Sequence, residues 1–284
     1  MNDNLDNYIG KVEHLPATPA VLVKMLALFR QPDRDVDEIV ELMRQDPSLT
    51  AEVLRHSNSA YFGTETPIVD VFEAIMRMGF YEVYQIAVAK LGSQALSLPQ
   101  GRCGIDVETL WRHSLTAAAT TGVLAKKLGE HEGLAFTAGL LHDVGKIVLA
   151  SAEGPAYTAM AAEHGMGGSS RQAAEVKLFG FGHSEVGARL LGRWKLPEEI
   201  SLPVRHHHDV VWPAQFERFC AIVSLGNLMA HAAEDSIPGK QYESEEAVCA
   251  MRVLQLGQND LELLLPDAQS DIKRMTGLLA VAAK

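Results

Sequence analysis

Asp35-Val36-Asp37-Glu38-Ile39-Val40-Glu41-Leu42-Met43-Arg44-Gln45-Asp46-Pro47-Ser48-Leu49-Thr50 carries two helix starts in succession. Asp35 and Glu38 stand three apart as a capping-box pair, placed to accept from backbone N–H groups that a first helical turn leaves orphaned. Ile39, Val40, Leu42 and Met43 then share one face of the helix that follows. Asp46-Pro47 opens the next helix, since proline in a first turn has no N–H to lose and a preset φ. That helix carries Leu49, Val53 and Leu54 and ends near Asn58-Ser59.

The same signals recur outward from this stretch. Helices are expected over about 69–78, closed by Gly79 as a left-handed terminus, and over Tyr81 to Leu96. Further segments read as helical at 106–128, 134–141, 155–163, 169–178, 183–194, 197–208, 214–233 and 243–256. No fixed-period repeat and no alternating strand interrupts them, and aromatic residues are only 6% of a chain rich in alanine and leucine. The fold class is therefore all-α. Leu98-Pro99-Gln100-Gly101-Arg102-Cys103-Gly104 breaks the periodicity and sets a boundary between an N-terminal helical bundle, 1–100, and a second bundle with a C-terminal helical extension, 101–284. Residues 165–170 read as a flexible connector within the second.

With 25 Lys and Arg against 36 Asp and Glu, the net charge is −11 and is spread along the chain, so the surface repels phosphate backbones and no nucleic-acid partner is expected. Cys103, Cys220 and Cys249 lie far apart without CxxC spacing, which fits a reducing compartment and argues against a cysteine-based zinc site. The first ten residues are polar and acidic, unlike a secretory signal. Apolar runs such as 219–233, which contains Asn227 and His231, fall short of the ~20 residues a membrane span requires. A cytoplasmic protein with no membrane partner is the expectation.

Chemistry, if any, lies among the 11 histidines. His14, His56, His131, His164 and His231 are isolated and read as ordinary surface or core residues. His142-Asp143-Val144-Gly145-Lys146 is different: the pattern HDxGK is expected only about 0.002 times by chance in a chain of this composition. It offers an imidazole and a carboxylate able to ligate one or two divalent ions, and an ammonium able to hold a phosphate. His113, His183 and the run His206-His207-His208-Asp209 complete a candidate cluster. The run also suits a solvated helix end, where the dipole favours histidine.

The order of these histidines around His142-Asp143 resembles the HD superfamily of metal-dependent phosphohydrolases. The N-terminal half is more specific. His14-Leu15-Pro16-Ala17-Thr18-Pro19, Arg44-Gln45-Asp46-Pro47-Ser48-Leu49-Thr50, Arg55-His56-Ser57-Asn58-Ser59-Ala60-Tyr61-Phe62-Gly63 and Ala74-Ile75-Met76-Arg77-Met78-Gly79, in that order, resemble the HDOD (HD-related output) domain. The resemblance runs from about residue 14 to 230.

It implies an N-terminal bundle packed on an HD-like bundle. The implied metal ligands are His113, His142, Asp143, His183, His207 and His208, and Asp143 and Lys146 are the catalytic candidates should an activity exist. A nitrogen-rich set with one carboxylate suits a divalent transition ion such as Fe, Mn, Zn or Ni, if any ion binds. Two departures stand against turnover. Asn227 occupies the place of the family's last aspartate and brings no negative charge. His207-His208-Asp209 resembles the HD-GYP branch, yet Val210-Val211-Trp212-Pro213 follows instead of a glycine-rich GYP segment, so cyclic di-GMP hydrolysis is not expected. The resemblance thus implies a bacterial signalling module, non-catalytic and acting through a protein partner. The alternatives are a metal-dependent phosphohydrolase acting on a nucleotide or other phosphoester, and a hydrogen-bonded relic without metal. No receiver, helix-turn-helix or cyclase segment accompanies the HDOD region, so its input signal is expected from outside it.

Overall fold

The computed structural model describes residues 5–6, 9–10, 20–31, 35–59, 66–95, 105–164, 169–234 and 240–282. Among these the secondary structure is helical throughout, with no strand, as the capping signals require. The first group comprises α1 (Ala20–Phe29), α2 (Val36–Arg44), α3 (Pro47–Ser57), α4 (Val71–Met78) and α5 (Phe80–Ala95). Asp35 accepts from the Asp37 N–H at 2.9 Å, and Asp46 accepts from the N–H groups of Ser48 and Leu49 at 3.0 Å each, so both opening helices start where the sequence places them. Gly79 ends α4 with φ +88°, a backbone that a side chain would strain.

The second group begins with α6 (Val107–Leu128), capped by Asp106 and closed by left-handed Gly129. It continues through α7 (Glu132–Leu141), α8 (Val144–His164), α9 (Ser169–Phe179), α10 (His183–Arg193), α11 (Glu198–His206) and α12 (Glu217–Glu234). A 3-10 turn, Lys240–Glu243, leads to α13 (Glu245–Leu254) and α14 (Gln258–Ala282).

Two elements differ from the sequence reading. Helix α8 begins at Val144, and the expected 155–163 segment is its second part, set off from a first part that was not expected by a kink at Gly154 with φ 39° and ψ −104°. Helix α14 lies beyond the last segment assigned, 243–256, within the expected C-terminal helical extension; it contains Pro266 and buries Leu261, Leu264 and Ala268 on one side. The stretch Glu132–Glu163 also corrects the reading of apolar runs. It is long and apolar enough to cross a membrane, but its apolar window is wholly buried in this fold and the His142-Asp143 turn divides it. The expected boundary at 98–104, the 165–168 part of the connector, and the motif stretches 14–19 and 60–63 lie outside the described residues.

The larger core runs from Ile9 through Val223 and so joins both groups of helices. At their contact, Phe29 of α1 packs on Tyr84 of α5 with ring centroids 4.1 Å apart. The buried Tyr84 hydroxyl lies 2.7 Å from Thr137 Oγ1 and donates to the Gly133 carbonyl at 3.2 Å, tying α5 to α7. A second core gathers α12, α13 and the start of α14 around Met229, Leu254 and Leu261.

Helix α14 carries one unfavourable charge. Burial, reinforced by Asp267 and Glu132 against the opposing pull of Lys126, raises the Asp271 carboxyl to about 6. A folded-state value above the unfolded one favours the protonated form, so its stability contribution is complete below about pH 4 and is lost as pH rises through 6. Asp271→Asn should therefore stabilise the protein at pH 8 by about 1 kcal/mol, a figure reduced for partial solvent screening, and leave it unchanged at pH 4. Melting curves at the two pH values check this, with a shift of roughly 2–4 °C expected only at the higher one.

Candidate metal centre

Helix α7 ends at Leu141 and α8 starts at Val144, which makes His142-Asp143 the joint between them. The joint is closely built. A Cβ on Gly145 would overlap the His183 carbonyl oxygen and lie 2.6 Å from the Gly187 nitrogen, so the first turns of α8 and α10 meet backbone to backbone. This contact sets His183, the first residue of α10, beside Asp143. His207 and His208 follow the end of α11, while α6 supplies His113 and α12 supplies Asn227.

Four imidazoles have their outer nitrogen tied down. His142 Nδ1 donates to the Gly139 carbonyl and His207 Nδ1 to the Val204 carbonyl, both at 2.7 Å. His183 Nδ1 donates to Glu175 at 2.6 Å, and His113 Nδ1 to Glu234 at 3.0 Å. In a neutral ring a proton held at Nδ1 leaves Nε2 as a lone pair. All four Nε2 atoms face the Asp143 carboxylate: His183 at 3.2 Å, His142 at 3.3 Å, His207 at 3.8 Å and His113 at 3.9 Å. Lys146, one turn into α8, places its ammonium 2.5 Å from Asp143 Oδ2.

The electrostatics follow from this crowding. Burial would raise the Asp143 carboxyl, but the surrounding polar groups, His142, Lys146 and His183, outweigh it and hold the group well below the usual carboxylate range. Burial pushes His142 down, and with the neighbouring imidazoles it pushes His207 and His208 far down, so these rings stay neutral. His183 is raised, because Glu175 and Asp143 overcome its burial. The neutral imidazoles of His142, His207 and His208 beside an ionised carboxylate are in the protonation states a metal requires of its ligands, whereas His183 would give up a proton to become one.

Asp143 Oδ1 and His142 Nε2 are buried atoms without a hydrogen-bond partner. A cation would satisfy both, so the residues fit a divalent ion. His113 Nε2 and Asn227 Oδ1 also meet at 3.0 Å; with Nδ1 protonated, that pair calls for a turned amide or for a cation between two lone pairs. Ligand atoms cluster within 4.8 Å of one another in three groups: His183, His207 and His208; His113, His142 and Asp143; and His113, His231 and Glu234.

All six histidine and aspartate positions singled out as ligands thus come together, with Lys146 among them. His206 does not join; its Nδ1 pairs with Asp209 at the exposed end of α11. His231, read as isolated, stacks on His113 at 4.3 Å. His56 and His131 serve locally, the first on Glu52 and the second as the cap of α7. The carboxylates Glu175 and Glu234 were missed. Glu175 also accepts from the His183 backbone N–H at 2.7 Å, from the Tyr157 hydroxyl at 3.2 Å and from Arg171 Nε at 3.4 Å. Asn227, His231 and Glu234 share one face of α12 at spacings of four and three, a signal that was readable.

An all-helical fold with a His-Asp joint ringed by imidazoles defines the class as HD-like helical proteins. The HDOD domain family matches residues 15–210, and the chain belongs to that family. An HDOD domain protein of unknown function from Geobacter sulfurreducens is 24% identical, with a TM-score of 0.78 over 98% of this chain and 96% of that one. A Shewanella amazonensis protein provisionally named a phosphohydrolase is 22% identical, with a TM-score of 0.70 over 94% and 97%. Likeness at these identities establishes the shared fold. The ribonuclease Y of Acholeplasma laidlawii is 25% identical over 74% of this chain and 35% of its own length. The chain spans less than half the length of the curated relatives it matches first.

Proposed function

We propose that this chain is a regulatory HDOD module of bacterial signalling, working in the cytoplasm, whose histidine pocket holds a divalent transition-metal ion as a structural or sensing element and whose effect is exerted on a protein partner without turnover. The observation that carries this reading is burial. His113 is 6% exposed and His142, Asp143, Lys146, His183 and His207 are 0–2% exposed, whereas a hydrolase must admit a phosphoester to its metal. The ion would be held by Asp143 and the surrounding imidazoles. When bound, such an ion supplies Lewis acidity and the activation of water. This chain's residues do the rest: they fix the imidazole orientations, exclude solvent, and keep a proton at each Nδ1.

A partner surface is offered on the N-terminal group, where Val69, just ahead of α4, and Phe72 and Met76 on it are 73%, 44% and 67% exposed. The net charge of −11 speaks against RNA as a substrate, despite the ribonuclease Y relatives.

The phosphohydrolase reading draws on one observation, the convergence of four imidazole lone pairs on a carboxylate beside a lysine. Turnover separates the two. Purified protein supplied with manganese or iron should hydrolyse neither cyclic di-GMP, nor nucleotides, nor short RNA. A rate of ~1 per second or more that is lost in His142→Ala overturns the regulatory reading in favour of the enzyme.

A further inference from the structure

Helix α14 is shared between the two groups of helices. It lies along α6 and reaches α5 in the N-terminal group. Its first half, up to Pro266, sets Leu261, Leu264 and Leu265 on the second core, which is also where it meets α12. Beyond Pro266 the hold is different. Ala268 is buried, and Ile272 packs half-buried on the larger core instead. The match to the HDOD family, residues 15–210, does not extend to this helix.

The second half is seated less firmly than the first. Pro266 has no N–H to give to a carbonyl one turn back, so the two halves are joined by a weakened turn. A groove of about 430 Å³ lies open between this half and the end of α6, with Val123, Lys126 and Lys127 on one wall and Asp267, Ser270 and Asp271 on the other. Asp271 is half-buried there in a field of mixed sign. Lys126 of α6 attracts it, Asp267 and Glu132 at the start of α7 repel it, and the Tyr81 phenol of α5 lies within reach of its charge. Burial and the two acids win and raise its carboxyl to about 6, so docking is firmest in acid and weakens as pH rises through 6.

We propose that the half of α14 beyond Pro266 is a detachable strap across α5 and α6, which opens as one unit while the rest of the fold stays closed, and which acid tightens. Opening bends the chain at Pro266, leaves Leu261 and Leu264 seated, and gives Asp271 to water. The face it uncovers spans the joint of the N-terminal and HD-like groups, so the strap alters the surface at that joint without unfolding either group.

Amide hydrogen exchange of the full chain at pH 5 and pH 8, corrected for intrinsic rates, tests this on peptides from 267–274, with 258–265 and α13 as references. At pH 8 residues 267–274 should be at least roughly 10-fold less protected than both references. In the wild type their protection should rise about 5-fold at pH 5, a figure reduced for solvent screening. In Asp271→Asn it should change by less than about twofold between the two pH values, at the level the wild type reaches in acid. Pro266→Ala, which restores the missing N–H, should bring 267–274 toward the protection of 258–265. Equal protection of the two halves in the wild type would mean that α14 opens only with the whole fold, and overturns the strap. A pH response as large in Asp271→Asn as in the wild type overturns its control by acid.

Discussion

Glu175→Ala should destabilise the fold by about 3–5 kcal/mol, and Glu175→Gln should lower metal affinity by about 10–100-fold while costing less stability. Glu175 is fully buried, as are Arg171 and Tyr157 beside it. Its Oε2 accepts from both the backbone N–H and Nδ1 of His183, while Oε1 receives Tyr157 and Arg171. The Arg171 guanidinium in turn lies 4.9 Å above the Tyr157 ring.

Truncation to alanine takes the carboxylate from a fully buried guanidinium, and it also opens a void. Glutamine keeps the volume and one accepting oxygen, so the loss is narrower. Its amide no longer stabilises positive charge on His183 or fixes the Nδ1–H tautomer. The two substitutions thus separate a structural role from a positioning one. Urea denaturation reads the first, and a zinc or manganese titration of folded protein reads the second. Equal metal affinity in wild type and Glu175→Gln would mean that His183 is oriented by the backbone alone.

The fold was legible in the sequence wherever a local signal coincided with tertiary need. Asp35, Asp46, Asp70 and Asp106 each cap the helix that follows, because an N-terminal N–H needs an acceptor in any context. The helix expected at 155–163 starts where Gly154 leaves helical geometry, and Pro155 sits in its first turn. Pro266, by contrast, lies inside α14, where packing of Leu261, Leu264 and Ala268 holds the helix despite one lost hydrogen bond.

The candidate ligands were legible through a short, improbable pattern and the order of the histidines behind it. Their supports were not. Glu175 lies eight residues before His183 on a separate helix, and no spacing rule joins a carboxylate on one helix to a histidine opening the next. Nor does sequence report that Asp143 has two differently occupied oxygens, a property of side-chain geometry alone.

Gly145→Ala tests whether the closest backbone contact at the site sets its geometry. The added methyl would overlap the His183 carbonyl oxygen and stand 2.6 Å from the Gly187 nitrogen. Neither is the movable end of a side chain, so relief requires α8 and α10 to part. Overpacking in a filled core typically costs 1–3 kcal/mol, and a clash between two main chains belongs at or above the top of that range. A loss of about 3 kcal/mol corresponds to a melting temperature lower by roughly 6–12 °C. The separation also draws His183 from Asp143, so metal affinity should fall with stability. Gly192, in the last turn of the same α10, is the control: nothing lies within 4 Å of a Cβ built there. Gly192→Ala should therefore be neutral or stabilising by up to ~1 kcal/mol through helix propensity, with metal binding unchanged. Were Gly145→Ala to melt and bind metal like the wild type, the approach of α8 to α10 would not be what sets His183 against Asp143.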